Sequence, residues 1–305
     1  MKEKSLKEWF LATRPWSLPA SSMAVIVAAL FVVWRISSYE GLTMNWLNVG
    51  LALLSIMFFQ LGGNLMSDYH DFTHGVDKVG DESVQILTSG LFSKKEVLTY
   101  AFCLLGVASA IGLVILSRTG WPTLVIGVMG LLLAVCYSWL KYHALGDITI
   151  FLEYAIFPVL GTSYVATGTW CLSSLLPAFI IGPVTVAILH ANNARDIPSD
   201  KAAGIRTWAM LIGLEASRWV FVAETLFPYL IILVAILSRA LPLGAALAFL
   251  ALPKAMALNK EVGSSLKGKV PFSGCDRKTA GLQLIFSLLF AAGLALSAVV
   301  AQKAW

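Results

Sequence analysis

The sequence predicts an all-α, polytopic membrane protein with about nine transmembrane helices bundled around a cavity that faces the cytoplasm. Three observations carry this. Of the 305 residues, 58% are hydrophobic and only 13% are charged, with a mean hydropathy of +0.80. That leaves too little polar surface for a soluble domain of this length. The apolar residues come in runs long enough to span a bilayer as helices, about 20 residues each, and not as short alternating strands. Finally, the basic residues segregate to alternate connections, as they do in membrane proteins of fixed orientation.

The spans fall in order at 18–36, 46–64, 98–117, 120–140, 148–168, 175–193, 217–238, 240–258 and 280–301. Several contain Gly or Pro, which membrane helices tolerate. The charged opening MKEKSLKEWFLATR runs into a full-length apolar segment, so it reads as a retained first helix and not a cleavable leader. Residues 1–305 read as one integral-membrane domain. Cys103, Cys136, Cys171 and Cys275 are scattered without a CxxC pair, which points to neither a disulfide framework nor a zinc site.

With the N-terminus in the cytoplasm and nine spans, the C-terminus lies outside. Only Arg35, Arg118, Arg239 and Lys303, of 22 lysines and arginines, then fall on the outer side. The net charge of +5 is therefore read as loop lysines at a lipid surface and not as a nucleic-acid-binding face. All the aspartates (68, 71, 77, 81, 147, 196, 200 and 276) lie on the same inner side, whereas Glu40, Glu153 and Glu224 do not follow this pattern. Acidic residues contribute little to topology, so the aspartates need another cause.

Two stretches concentrate them. NLMSDYHD, residues 64–71, closes the second span, and NNARDIPSD, residues 192–200, closes the sixth. Both descend from outside to inside, and Asn64/Asp68 match Asn192/Asp196 at one constant offset, a weak internal repeat. On a helix Asn64, Asp68 and Asp71 share a face, as Asn192, Asp196 and Asp200 would. Pro198 should break the second helix near Ile197, so that Asp200 is aimed by the break and not by helical periodicity. Carboxylates this close repel one another, the more so near a low-dielectric phase, and call for a cation. Hard oxygen ligands suit Mg²⁺ bridged to phosphate. Lys78, Arg195, Lys201 and Arg206 stand nearby and suit a departing diphosphate. A diphosphate head beneath a greasy bundle suggests an isoprenyl diphosphate, whose tail needs an apolar cavity.

Five segments then resemble the UbiA-type intramembrane prenyltransferase superfamily, within it most nearly the 1,4-dihydroxy-2-naphthoate polyprenyltransferases of menaquinone synthesis. They are RPWSLPAS (14–21), NLMSDYHDFTHGVD (64–77), LTSGLFSKKEV (87–97), LKYHALGD (140–147) and NNARDIPSDKAAGIRTWAMLIG (192–213). The resemblance spans nearly the whole chain, with Asp-rich loops at 64–97 and 192–213. It implies Mg²⁺-assisted loss of diphosphate from a polyprenyl diphosphate and attack by an electron-rich aromatic acceptor, with loss of CO₂ in the naphthoate branch to give demethylmenaquinol. It implies metal ligation by Asp68, Asp71, Asp196 and Asp200, with Asp77 as a trailing acidic position. Diphosphate contacts fall to Lys141, Arg14 and Lys78, with Arg195, Lys201 and Tyr137 close by, and Asn64 and Asn192 orient carboxylates or touch phosphate. It also implies a bacterial inner (plasma) membrane. The three-residue spacing of Asp68 and Asp71 resembles the naphthoate branch and not the hydroxybenzoate one. Val84 and Gln85 stand where related sequences often carry Arg. Rival readings are a hydroxybenzoate, homogentisate or chlorophyllide acceptor, and a cation-coupled transporter with acidic groups at mid-membrane.

Other residues have two readings each. Lys141 with Tyr137 one turn before it is a snorkelling pair or a site pair. Glu153, inside the fifth span, orients an acceptor or holds a proton, or else is a neutral core group. Asp147 reads as a helix N-cap. His70 and His74 are a solvated pair more readily than metal ligands, and His190 is a packing or hydrogen-bonding group. Residues 87–97 read as a short helix lidding the site, and the lysine-rich 259–279 loop as a lipid contact.

Overall fold

The computed structural model describes residues 4–38, 43–76, 86–266, 268 and 271–303. Among these there is no strand. The chain is helical throughout: α1 (Leu6–Ala12), α2 (Leu18–Ser38), α3 (Trp46–Thr73), α4 (Lys94–Thr119), α5 (Trp121–Tyr142), α6 (Gly146–Phe151), α7 (Phe157–Thr167), α8 (Leu175–Arg195), α9 (Ile197–Ala202), α10 (Trp208–Ile212), α11 (Leu214–Leu237), α12 (Leu252–Ser265) and α13 (Cys275–Lys303). Local chemistry places the starts. Ser93 and Glu96 form a reciprocal capping box at α4, Ser5 and Glu8 another at α1, and the Asn45 side chain caps α3.

Among the described residues, eight helices are long and apolar enough to cross a membrane. The sequence expectation of nine holds with one change. The segment expected at 240–258 is two pieces, a 3₁₀ stretch over Leu243–Ala251 followed by α12. Pro253 lies in the first turn of α12, where its missing N–H costs nothing, so the α-helical ladder starts there and does not run through from 240. The stretch is held against α13 by a glycine contact. A Cβ on Gly293 would stand 2.1 Å from the Gly244 carbonyl oxygen. Such backbone approach through small residues is how membrane helices associate without a hydrophobic driving force.

The main core joins α2, α8, α11, α13 and the 243–262 region around Phe31, Ile180, Phe221, Phe286 and Phe290. A second core at the inner end packs α1, α3, α4 and the 86–92 turns around Leu65, Ile86, Phe92 and Val97. Trp9 of α1 meets Phe92 and Tyr100 edge-on. Outward faces stay greasy: α5 exposes Trp121, Leu124, Val125, Val128 and Leu132. Such a belt fits lipid and not water.

Three local expectations change. The 87–97 segment is turns over 86–92 with α4 starting at Lys94, not a separate lid helix. Asp147 does not cap α6; Leu145 occupies the N-cap, and Asp147 sits in the first turn with its side chain turned elsewhere. The fifth span is not uniformly α-helical either. Leu152–Ile156 form a π turn that carries Glu153 between α6 and α7.

Gly293→Ala forces two backbones apart, and its expected cost is about 2 kcal/mol or more, read as a lowered thermal midpoint in detergent. Gly127→Ala meets open space and should be neutral or stabilise by about 0.5 kcal/mol.

Candidate functional site

α3 continues three turns past the apolar run, so Asn64, Asp68 and Asp71 lie on one inner-end face of a continuous helix, as their spacing predicts. Asp68 is 1% exposed and Asp71 7%. Carboxylates that buried need partners, and each has them. The Arg14 guanidinium pairs with Asp68. Arg14 has φ 55°, ψ 56°, the left-handed region, and stands just ahead of the 3₁₀ turn Pro15–Ser17. A non-glycine residue held there is strained backbone that the surroundings must enforce. Asn64 does part of this: its Nδ2 donates to the Thr13 carbonyl at 2.8 Å and to Ser17 Oγ at 2.9 Å. Gln60 Nε2 reaches the same hydroxyl at 3.1 Å. Both Asn64 amide protons are thereby committed, so Asn64 keeps its oxygen for a ligand and has no donor left for a phosphate.

Asp71 is held from α5. Tyr142 Oη donates to its Oδ1 at 2.5 Å, and Lys141 Nζ stands 3.6 Å from its Oδ2. Tyr137, one turn before Lys141, faces Lys141, Asp71 and Glu153. The end of α5 is fixed across the site by an isolated parallel bridge between His143 and Arg206. Arg206 N donates to the Tyr142 carbonyl at 3.1 Å, and Ala144 N to the Arg206 carbonyl at 2.9 Å. This clasp draws Lys141 toward the second acidic stretch.

That stretch does break at the proline. α8 ends at Arg195, Asp196 sits at φ −90°, ψ 8°, and α9 begins with Pro198 in its first turn. Asp200 is therefore on a separate short helix, aimed by the break, and the two halves of the site are not geometrically alike. Arg195 grips Asp196 with two nitrogens, at 2.7 and 2.8 Å, donates to Asn192 Oδ1 at 2.8 Å and pairs with Asp276 of α13 at 2.9 Å.

Asp200 is 2% exposed, and its Oδ2 has no partner. Burial pushes its carboxyl up to about 7; Lys141 opposes this, Asp196 and Asp71 add to it, and Arg195 also opposes. Asp71, Asp196, Lys141 and Arg195 all stand close enough to act electrostatically on Asp200, so the two acidic stretches do converge. The donor set is hard oxygen with one buried carboxylate oxygen unsatisfied, which fits Mg²⁺.

Several candidate residues stand otherwise. Lys201 is exposed and makes none of the site's ion pairs. Asp77 and Lys78 lie outside the described residues, as do Val84 and Gln85. His70 and His74 are no metal pair: His74 Nδ1 meets the His70 carbonyl at 2.9 Å and its ring abuts Tyr142. Tyr142 and Asp276 were missed. Tyr142 adjoins Lys141 inside a segment already singled out, and Asp276 belongs to the one-sided aspartate set, so both carried a signal.

Breaking the Arg14–Asp68 pair by Arg14→Met should destabilise by about 3 kcal/mol, since it removes the guanidinium from a buried carboxylate. Arg14→Met with Asp68→Leu should recover most of that loss in thermal unfolding.

The model of the UbiA prenyltransferase family matches residues 25–262. UbiA prenyltransferase domain-containing protein 1 of Gallus gallus is 31% identical over 296 residues, covering 95% of this chain and 85% of that protein. The Homo sapiens protein of the same name is 30% identical, covering 95% and 83%. Among solved structures, a UbiA homolog from Archaeoglobus fulgidus bound to DMAPP and Mg²⁺ superposes with a TM-score of 0.67 at 15% identity, over 97% of this chain and 99% of that one. An apo UbiA homolog from Aeropyrum pernix K1 gives 0.68 at 15%, over 90% and 97%. At that identity the likeness is one of fold.

Proposed function

The chain belongs to the UbiA prenyltransferase family, and from that premise we propose that it transfers a polyprenyl group from an isoprenyl diphosphate to an aromatic acceptor, 1,4-dihydroxy-2-naphthoate, with loss of CO₂. The observation that carries this is the convergence of Asp71, Asp196 and Asp200 with Lys141 at one end of an apolar bundle, one turn of α3 from the Asp68–Arg14 pair. Family membership removes the transporter reading. The three-residue spacing of Asp68 and Asp71 favours the naphthoate acceptor.

The four aspartates hold Mg²⁺, together with Asn64 Oδ1. Bound there, the ion neutralises the diphosphate and favours its departure. Lys141 lies between the acidic stretches and receives the leaving charge, and Tyr142 keeps Asp71 from rotating. Arg14 and Arg195 hold Asp68 and Asp196 until substrate arrives, and their charge then turns to phosphate. Lys201 adds exposed positive charge next to Asp200. Water must be kept from the allylic cation, and the greasy interior above the carboxylates does that. Glu153, 4% exposed on its π turn, and Tyr137 lie on the side of Lys141 that leads into the bundle. They orient the ring of the acceptor, with π turns favoured at such sites. The N-terminus and the acidic end face the cytoplasm of a bacterial plasma membrane, with the lysines near α12 against anionic lipid.

Purified protein supplied with Mg²⁺, a polyprenyl diphosphate and dihydroxynaphthoate should release diphosphate and a prenylated quinol. Absence of product with every aromatic acceptor would overturn the reading. Asp68→Ala and Asp196→Ala should each lower turnover at least about 100-fold with the fold intact by circular dichroism.

Mg²⁺ competes with protons for Asp200, since only the carboxylate ligates. With that group titrating at about 7 in the metal-free protein, the Mg²⁺ needed for half-maximal rate should be flat above pH 8. It should rise roughly tenfold per unit below pH 6. Asp200→Asn should flatten the profile.

A further inference from the structure

On the side of α8 turned from Asn192, three ionisable side chains from three helices meet. One ring nitrogen of His190 and one oxygen each from Asp147 and Glu224 lie within 4.8 Å of one another. They come from α8, α6 and α11 respectively. His190 and Asn192 differ by two positions, about 200° around the helix, so His190 points to the opposite side of α8 from the Asn192 face.

The cluster is chemically incomplete. His190 is 0% exposed, and its Nδ1 meets Asp147 Oδ2 at 2.7 Å. Asn193 Nδ2 reaches the other Asp147 oxygen at 3.5 Å. In the neutral tautomer whose Nδ1–H donates to the carboxylate, the Nε2 lone pair is open. That Nε2 has no hydrogen-bond partner, and neither has Glu224 Oε2. Among the described residues no lysine or arginine pairs with Asp147 or Glu224. Beside the imidazole the cluster holds two carboxylates, and among the described residues no lysine or arginine stands with them to meet their charge when they ionise. A divalent cation balances both and satisfies both orphaned atoms.

The ligand types choose the ion. Imidazole nitrogen with two carboxylate oxygens suits Mn²⁺, Zn²⁺ or Fe²⁺, whereas Mg²⁺ prefers an all-oxygen shell with several waters. A carboxylate holding the far nitrogen of a histidine is also the arrangement that orients metal-bound imidazoles. Access exists: a cavity of about 290 Å³, lined by Ala144, Asp147, Ile148 and Trp208, opens beside Asp147.

We propose that Asp147, His190 and Glu224 form a second cation site, distinct from the diphosphate clamp, that takes a divalent transition-metal ion of the Mn²⁺ or Zn²⁺ class. The ion ties α6, α8 and α11 together on the far side of the helix that carries Asn192 and Arg195.

The test uses full-length protein in detergent, stripped with chelator and returned to saturating Mg²⁺, then titrated with Mn²⁺. Mn²⁺ should be retained through desalting, show nitrogen coupling in pulsed electron paramagnetic resonance, and raise the thermal midpoint. His190→Gln should abolish the nitrogen coupling. Glu224→Gln, which keeps the imidazole, should weaken retention at least about tenfold. Asp68→Ala with Asp196→Ala should lose prenyl transfer and keep the coupling, which separates failure of this site from failure of the proposed reaction. Wild-type protein without nitrogen-coupled Mn²⁺, or coupling that persists in His190→Gln, would overturn the proposal.

Discussion

Everything at the inner end of this bundle answers to one constraint: carboxylates placed at the edge of a low-dielectric phase must be met by positive charge. Asp68 has Arg14, Asp71 has Lys141 and a phenol, and Asp196 has Arg195. Each basic group is in turn pinned by a structural device. Asn64 ties down the backbone on either side of Arg14, a backbone clasp from 142–144 to 206 holds Lys141, and Asp276 on the last helix holds Arg195. The devices come from opposite ends of the sequence, so the site ties together α1, α3, α5, α8, α9 and α13.

Asp200 breaks this pattern and thereby defines it. Its partnerless oxygen and raised titration mark the place where the protein's own cations stop and an outside cation is required. A site fully satisfied by its own lysines and arginines would be a stable ion-pair network with no reason to bind anything. One left short of positive charge is poised for a ligand. The same reasoning, applied behind α8, separates the Asp147–His190–Glu224 group from the many buried polar contacts that are satisfied internally.

Irregular backbone recurs near the acidic stretches. Arg14 and Ala144 adopt positive φ, the π turn carries Glu153, and the α8–α9 break carries Asp200. Regular helix supplies the apolar wall, and departures from it aim polar groups inward. In a membrane such departures are tolerated only where protein or a cavity surrounds them, as at the buried Glu153 turn.

The helical membrane architecture and most of its spans, the 240–258 segment excepted, were legible in the sequence. Apolar run length, positive-charge placement and i, i+4, i+7 spacing are local properties, set by bilayer thickness and helix pitch. Asn64, Asp68 and Asp71 therefore stand where their spacing put them, and Pro198 announced the break before Asp200. Pairings between distant residues carry no periodic signal. Which cation meets which carboxylate, that Tyr142 and Asp276 belong to the site, that Asn64 spends its amide on Thr13 and Ser17, and that Asp147 and His190 face each other and not separate partners were decided by helix packing. That packing rests on contacts such as Gly244 against Gly293, whose geometry exists only once the chain has folded.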